Sequence, residues 1–328
     1  MRYSQAEKME IIRLVEESSL SARRTLDELQ INRSTFYAWY RNYLKDGYDG
    51  LADQKSGPKR FWNKIPECEK KKIVDKAIDL PILTPRELAW KITDEEGYYI
   101  SESSVYRILK AYDLITSPAF VVISAKDKFT RPTTRVLELL QTDFTYFKIE
   151  GWGWYYLASV LDDYSRYIVS WKLFTSMTAS DVIDVLDMAL KATGAEKVKL
   201  RLKPRLLTDN GPCYLSSELR EYLAEKGMEH TRGAPYHPQT QGKIERYHRS
   251  MKNVILLDKY FLPQDLEYEI GKFIDYYNNE RYHEGINNMR PVDVYNGKSK
   301  EIETMRSRIK MQTMIYRKMQ NLNYALTS

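Results

Sequence analysis

Through the first hundred residues the apolar positions recur at three- and four-residue steps, the spacing of one face of a helix. Residues 4–19 form the first such run, with Met9, Ile12, Leu14 and Val15 in step. Ser21 stands as an N-cap for a second helix reaching about Gln30. After the break at 31–34 a third begins near Ser34 and carries Phe36, Tyr37, Trp39, Tyr40 and Tyr43. Helix, short turn, helix at this spacing predicts a helix-turn-helix, with the aromatic residues mostly in its core. Gly47, Gly50, Gly57, Pro58 and Pro66 then mark a linker. A second trio follows: Pro66 to Asp79, a helix opened by Thr84-Pro85 and running to about Glu95, and Ser101 to Tyr112. Residues 115–135, with Pro118 and Pro132, read as a second linker.

From Val136 the pattern changes. Leu139–Ile149, Trp154–Leu161 and Tyr167–Phe174 read as three strands, the last two joined by the turn Asp162-Asp163-Tyr164-Ser165. A helix follows from Ala179 to about Ala192, then a short buried strand at Leu206-Leu207-Thr208 ending on Asp209. Further on come a helix from Ser216 to Gly227, a strand near Met228–Thr231, and helices from about Gln239 to Leu257 and Pro263 to Tyr282. A meander followed by alternating helices and strands predicts a mixed sheet flanked by helices. The tail places Ile302, Met305, Ile309, Tyr316, Met319 and Leu322 at helical steps, so it reads as a basic amphipathic helix that packs on the body, on a partner subunit or along DNA.

Composition narrows the function. The 328 residues are 43% hydrophobic and 29% charged, ordinary for a soluble globular protein of two or three domains. No long apolar run predicts a membrane span, and MRYSQAEKME has no secretory h-region. Cys68 and Cys213 offer neither a disulfide framework nor a zinc site, which fits a reducing cytoplasm. The net charge of +6 is concentrated: residues 297–328 hold seven Lys or Arg against two Glu, and residues 232–252 hold five against one. In isolation, charge runs of this kind are solvated helix faces. The second run, however, encloses a single acid, Glu245.

Three carboxylates stand out. Asp143 interrupts an apolar and aromatic strand in LLQTDFTYF, where an isolated acid usually faces solvent. Asp209 ends a buried strand at Asp-Asn-Gly, where α/β sheets place ligands and where turns also form. Glu245 lies at the margin of the apolar stripe Ile244, Tyr247, Met251, Val254 and Ile255, in line with Gln241, His248, Arg249 and Lys252. The 35 residues between Asp209 and Glu245 accommodate a helix, a short strand and a loop, so the glutamate can return beside the aspartate. Three carboxylates in one cleft repel each other unless cations neutralise them. Hard divalent ions with oxygen ligands do so, and a pair of them suits in-line phosphoryl transfer.

The motifs QTDFTYF, YLASVLDDYSRYIVSW, LLTDNGPCY and APYHPQTQGKIERYHRSMK, in this order, resemble the DDE catalytic core shared by retroviral integrases and bacterial insertion-sequence transposases. YNNERYHEGINNMRPVDVY resembles the segment that follows the glutamate helix there. The resemblance implies an RNase H-like mixed five-stranded sheet over residues 136–296. Before it would stand two all-α helix-turn-helix DNA-binding domains (1–60 and 61–118) and a linker (119–135), and after it the helical tail (297–328). It implies Asp143, Asp209 and Glu245 as catalytic residues and ligands of two Mg²⁺ (or Mn²⁺). It also implies attack by water or a DNA 3′-hydroxyl on phosphodiesters, which is DNA cleavage and strand transfer. The N-terminus lacks the His/Cys zinc ligands of retroviral integrases, which favours the bacterial branch, and both helical units precede the core in one reading frame. The implied partners are double-stranded DNA, both element inverted repeats and target, and a homodimer or higher oligomer. The implied location is a bacterial cytoplasm, at the nucleoid.

Around the triplet, Asn210, His237, Gln241, Lys243, Arg246, Arg249 and Lys252 are candidates for DNA contact. In the helical units the candidates are Arg33, Ser34, Thr35 and Arg41, and then Ser103, Ser104, Tyr106, Arg107 and Lys110. Asp162 and Asp163 read instead as turn residues bonded to backbone. Two other functions stay open on the sequence: a DNA-binding regulator derived from a transposase, and an RNase H-like nuclease without joining activity.

Overall fold

Side-chain caps start most of the helices. In the computed structural model, which describes residues 3–18, 20–52, 62–115, 133–195, 203–232 and 242–327, Ser4 and Glu7 form a reciprocal capping box at α1 (Gln5–Glu17). α2 (Ala22–Glu28) follows, and Asn32 caps α3 (Arg33–Asp46) by accepting from the Ser34 amide. These helices and a 3-10 turn at Gly47–Leu51 belong to one compact unit, Met1–Trp62. Its core is Ile11, Ile12, Leu26, Ile31, Phe36 and Leu51, with Trp39, Tyr40 and Tyr43 packed partly against it. Gly50 lets the chain close on α3, since a Cβ there would stand 2.3 Å from the Asn42 carbonyl oxygen.

The second unit is Asn63–Ser328. It opens with α4 (Glu67–Asp79), α5 (Pro85–Glu96) and α6 (Glu102–Ala111). Thr84 and Glu87 box the start of α5, where Pro85 occupies the first turn, and Ser101 caps α6. Ile73, Leu88, Ile92, Ile100, Val105 and Leu109 form their core.

Five strands follow: β1 (Leu139–Ile149), β2 (Gly153–Asp162), β3 (Ile168–Phe174), β4 (Arg205–Thr208) and β5 (His230–Arg232). Their order is β3-β2-β1-β4-β5. The first three form an antiparallel meander, while β4 runs parallel to β1 and β5 parallel to β4. One face is covered by α7 (Ala179–Thr193), α8 (Pro212–Leu215) and α9 (Ser217–Lys226) through Val182, Val185, Leu186, Tyr214, Leu219 and Leu223. The other is covered by α10 (Gly242–Ile255) and α11 (Pro263–Asn279) through Ile244, Tyr247, Met251, Ile270 and Ile274. This is the expected mixed five-stranded sheet between helical layers, behind helical units. Among the described residues no helix is long and apolar enough to cross a membrane.

α11 stops at Asn279, short of the expected Tyr282. The Glu280 and Arg281 amides both fold back on the Tyr276 carbonyl, and the chain turns into a bridge between His283 and Met289. The expected start of the glutamate helix at Gln239 lies outside the described residues, as do most of the linker, His237 and Gln241.

After α12 (Pro291–Tyr295), α13 (Ser299–Thr327) corrects the reading of the tail. It packs on the body, but its docked face is largely polar. Arg306, Thr313 and Arg317 are buried, whereas Met305, Met319 and Leu322 are exposed. Arg306 pairs with Asp94 through Nε (2.8 Å) and Nη2 (2.7 Å), donates to the Asn287 and Asn288 carbonyls, and lies 4.2 Å over the Trp90 ring. Arg317 donates to the Tyr98 hydroxyl and the Tyr99 carbonyl, and Thr313 accepts from the Tyr99 amide. Arginine stems bury while the guanidinium forks satisfy α4–α6 backbone and carboxylate, so periodicity of apolar residues does not mark this face. Arg306→Ala is expected to remove about 2–3 kcal/mol of docking, because it strips charged hydrogen bonds from Asp94. Limited proteolysis should then release the tail; a tail that resists cleavage as in wild type would refute this role.

Candidate active site

The site grows from the sheet's topology. β1 and β4 are neighbours running in the same direction; β4 ends at Thr208 while β1 continues to Ile149, so the crevice at the carboxyl end of β4 opens beside the middle of β1. Their last recorded pair is Gln141 with Leu207. Continuing that register by two residues sets Asp143 level with Asp209. Asp143 is half-buried; its Oδ1 accepts from the Phe144 amide at 2.9 Å. Asp209 follows the end of β4 in an Asx turn, accepting from the Gly211 amide at 2.9 Å, so the same Asp-Asn-Gly that reads as a turn also presents a carboxylate.

Glu245 lies in the first turn of α10, between Ile244 and Tyr247, which are buried against the sheet. One turn on, His248 is buried and its Nδ1 lies 3.4 Å from Asp143 Oδ2. The sequence reading placed His248 only in line with Glu245; its spacing of three residues from Glu245 is the signal that it shares that face.

The electrostatics tie the three carboxylates together. Asp209 is held above the ordinary carboxylate range, chiefly by partial desolvation and further by the charge of Asp143, against the Gly211 amide. Glu245 is raised in the same way, by desolvation and then Asp143, against Arg249, His248 and Arg246. Both side chains reach solvent, as groups awaiting a ligand must. The charge of Asp143 also helps to raise the buried Tyr214 and the thiol of Cys213 beneath the site, after burial itself. Lys252 feels it too: burial lowers its ammonium and Asp143 opposes that. Asp143 is thus the hub of the site. In the described geometry no three His, Cys, Asp or Glu side chains close on a common point. The donor set nevertheless fits a hard divalent cation, since it is all carboxylate oxygen.

Lys243 is engaged inside the protein. Its ammonium meets Asp163 Oδ2 at 2.6 Å and the Asp163 carbonyl at 3.2 Å. Asp163 is buried and also accepts from Gln141 Nε2 at 2.6 Å and Thr133 Oγ1 at 2.5 Å. Asp162 is buried too, and accepts from the Leu137 and Ser165 amides and the Ser165 hydroxyl. Asn210, Arg246 and Arg249 are exposed near the triplet and Lys252 is half-buried. In α3, Arg33, Ser34, Thr35 and Arg41 are all exposed; in α6, Ser103, Arg107 and Lys110 are exposed while Ser104 and Tyr106 are half-buried. α3 belongs to the first unit, and α6 to the second, which also holds the carboxylates.

Comparison with known proteins finds similarity over both the helical units and the sheet domain. Two models of the integrase core domain match residues 133–238 and 226–291, and two homeodomain-like domain models match residues 2–52 and 35–109. The chain is 31% identical over 155 residues to the transposase for insertion sequence element IS904 of Lactococcus lactis, covering 46% of this chain and 58% of that one. It is 28% identical over 156 residues to a putative transposase for IS986/IS6110 of Mycobacterium tuberculosis, covering 46% and 55%. It is 35% identical over 133 residues to the Pol-related polyprotein of a mouse intracisternal A-particle, covering 40% of this chain and 14% of that one. The HTLV-2 integrase catalytic core domain in complex with magnesium superposes with a TM-score of 0.39 at 24% identity, over 49% of this chain and 97% of that one. The chain therefore carries an integrase core domain behind homeodomain-like helical domains, and over somewhat under half its length it is similar to insertion-sequence transposases, of which it spans little more than half.

Proposed function

We propose that the chain is a DNA transposase that binds the terminal inverted repeats of a mobile element and cuts and joins DNA at Asp143, Asp209 and Glu245. The observation that supports this reading is that the charge of Asp143 on β1 acts both on Asp209, just past β4, and on Glu245 of α10. Such an arrangement costs stability unless a cation joins it. The three carboxylates would hold two Mg²⁺ (or Mn²⁺), which supply Lewis-acid chemistry at the attacking and leaving oxygens. Asp143 would offer its oxygens from the middle of β1, Asp209 from just past the end of β4, and Glu245 from the first turn of α10. His248 holds Asp143 on one side.

The helical units, 1–60 and 61–118, would read the repeats through the exposed residues of α3 and α6, because the second helix of such a unit enters the major groove. Arg246, Arg249 and Lys252 would meet phosphates beside the cut. Two element ends must be joined, so the active assembly is a homodimer or larger, acting on DNA in a bacterial cytoplasm.

The test is a strand-transfer assay on a pre-cut end with a free 3′-hydroxyl, in Mg²⁺ or Mn²⁺. Asp209→Asn and Glu245→Gln should each abolish joining, and a chelator should abolish it in wild type. Joining by both variants would reject the mechanism. Cleavage without joining would favour a nuclease, and tight repeat binding with neither reaction a regulator.

A further inference from the structure

The hairpin of β1 and β2 carries an exposed aromatic and cationic surface that the catalytic reading does not use. From Thr145 onward β1 alternates cleanly: Thr145, Phe147 and Ile149 are buried, Tyr146 and Lys148 exposed. The pleat thus presents Tyr146 and Lys148 outward. Across the hairpin Lys148 pairs in register with Trp154. Tyr146 is 56% exposed and Trp154 50%, and their rings meet edge to face with centroids 5.4 Å apart. The Lys252 ammonium lies 4.4 Å from the Tyr146 ring centroid, and that of Lys148 5.8 Å from the Trp154 ring.

Two features say what this surface takes. First, it adjoins the helix that carries Glu245. Tyr146 lies three residues from Asp143, roughly 10 Å along the strand and on the other side of the pleat, but Lys252 of α10 reaches over the Tyr146 ring. Second, it combines open ring surface with two ammonium groups, which complements a polyanion bearing planar groups. In an intact duplex both faces of each base are covered by neighbouring bases. Only an unpaired base has a face to lay on a protein ring.

We propose that Tyr146 and Trp154, flanked by Lys252 and Lys148, form a stacking platform for an unpaired DNA base next to the scissile phosphate. The proposal rests on the reading of the chain as a DNA-acting enzyme and adds a positioning device to it. A base held there would keep the frayed strand at the cut from re-pairing, while the lysines meet the flanking phosphates.

The test uses the full chain and two DNAs of mixed sequence: a blunt duplex, and the same duplex with a four-nucleotide overhang containing 2-aminopurine. Wild type should bind the overhang duplex about tenfold or more tightly than the blunt one and quench the 2-aminopurine, as stacking of one base requires. Tyr146→Leu/Trp154→Leu should lose that preference and the quenching, with unchanged affinity for the blunt duplex and unchanged melting temperature. Tyr146→Phe/Trp154→Phe should retain both. Equal affinity of wild type for the two DNAs, or quenching that survives in the leucine variant, would overturn the platform and leave the proposed function standing. Loss of all DNA binding by wild type would overturn both. A leucine variant altered only in its oligomeric state would assign this surface to a second copy of the chain and reject the proposal.

Discussion

Asp143→Asn is expected to lower strand transfer by about a thousandfold or more, the scale of losing a metal-borne stabilisation of several kcal/mol, while DNA binding through the helical units persists. The same substitution has a second consequence. Burial and the charge of Asp143 hold Asp209 and Glu245 above the ordinary carboxylate range, so the folded protein binds those protons more tightly than the unfolded chain does. For raised carboxyl groups the stability contribution is fully present in acid, below their unfolded values. It is lost as pH rises through the raised values, so at neutral pH the ionised pair opposes folding. Asparagine at 143 removes one cause of both shifts. Melting temperature measured against pH in chelator should therefore fall less steeply on leaving acid for Asp143→Asn than for wild type. Mg²⁺ or Mn²⁺ at neutral pH should raise the melting temperature of wild type and not of the variant. A variant that keeps the wild-type pH slope and still gains stability from the metal would detach Asp143 from the site.

The parts of this molecule that were legible in the sequence are those where one force dominates. β1 was readable to the residue, Leu139–Ile149, because its pleat alternates buried and exposed side chains over its second half. Thr84-Pro85 with Glu87, and Ser101 before α6, announce helix starts through caps that are local by nature. The local setting of two of the carboxylates was legible as well: Asp209 directly follows a short buried strand, and Glu245 lies at the edge of an apolar helix stripe. What was not legible depends on partners distant in sequence. α13 docks through Arg306 and Arg317, residues that hydropathy assigns to solvent, and their partners Asp94 and Tyr98 lie more than two hundred positions away. The exposed Tyr146–Trp154 pair shows only once β2 is in register with β1. The contact of His248 with Asp143 likewise needs α10 laid beside the strand. Lys243 was read as a candidate DNA contact beside the triplet; its ion pair with Asp163, eighty positions earlier, was not visible in the sequence.

That last pair carries the largest expected effect on stability. Asp163 is one carboxylate binding two elements: its Oδ1 accepts from Gln141, two residues before Asp143 on β1, and its Oδ2 from Lys243, two residues before Glu245 on α10. Asp163 is 1% exposed and the Lys243 side chain 12%, so water cannot replace either partner. Asp163→Ala removes the carboxylate that neutralises a largely buried ammonium and accepts from the Gln141 amide. Breaking a buried pair from one side costs about 3–5 kcal/mol, because the remaining charge is uncompensated. Lys243→Met leaves Asp163 its Thr133 and Gln141 donors and should cost less. Removing both charges with Asp163→Asn/Lys243→Met should recover much of the loss, since a neutral pair of similar volume carries no buried charge. Chemical denaturation of wild type, Asp163→Asn, Lys243→Met and the double variant closes the cycle and gives the coupling directly. Activity separates a clamp from a mere anchor. If Asp163 sets the spacing of β1 and α10, the double variant should regain stability yet transfer strands more slowly than wild type, with DNA affinity unchanged. A double variant as active as wild type would confine Asp163 to holding the fold, and additive stability losses would mean that the two side chains do not act as a pair at all.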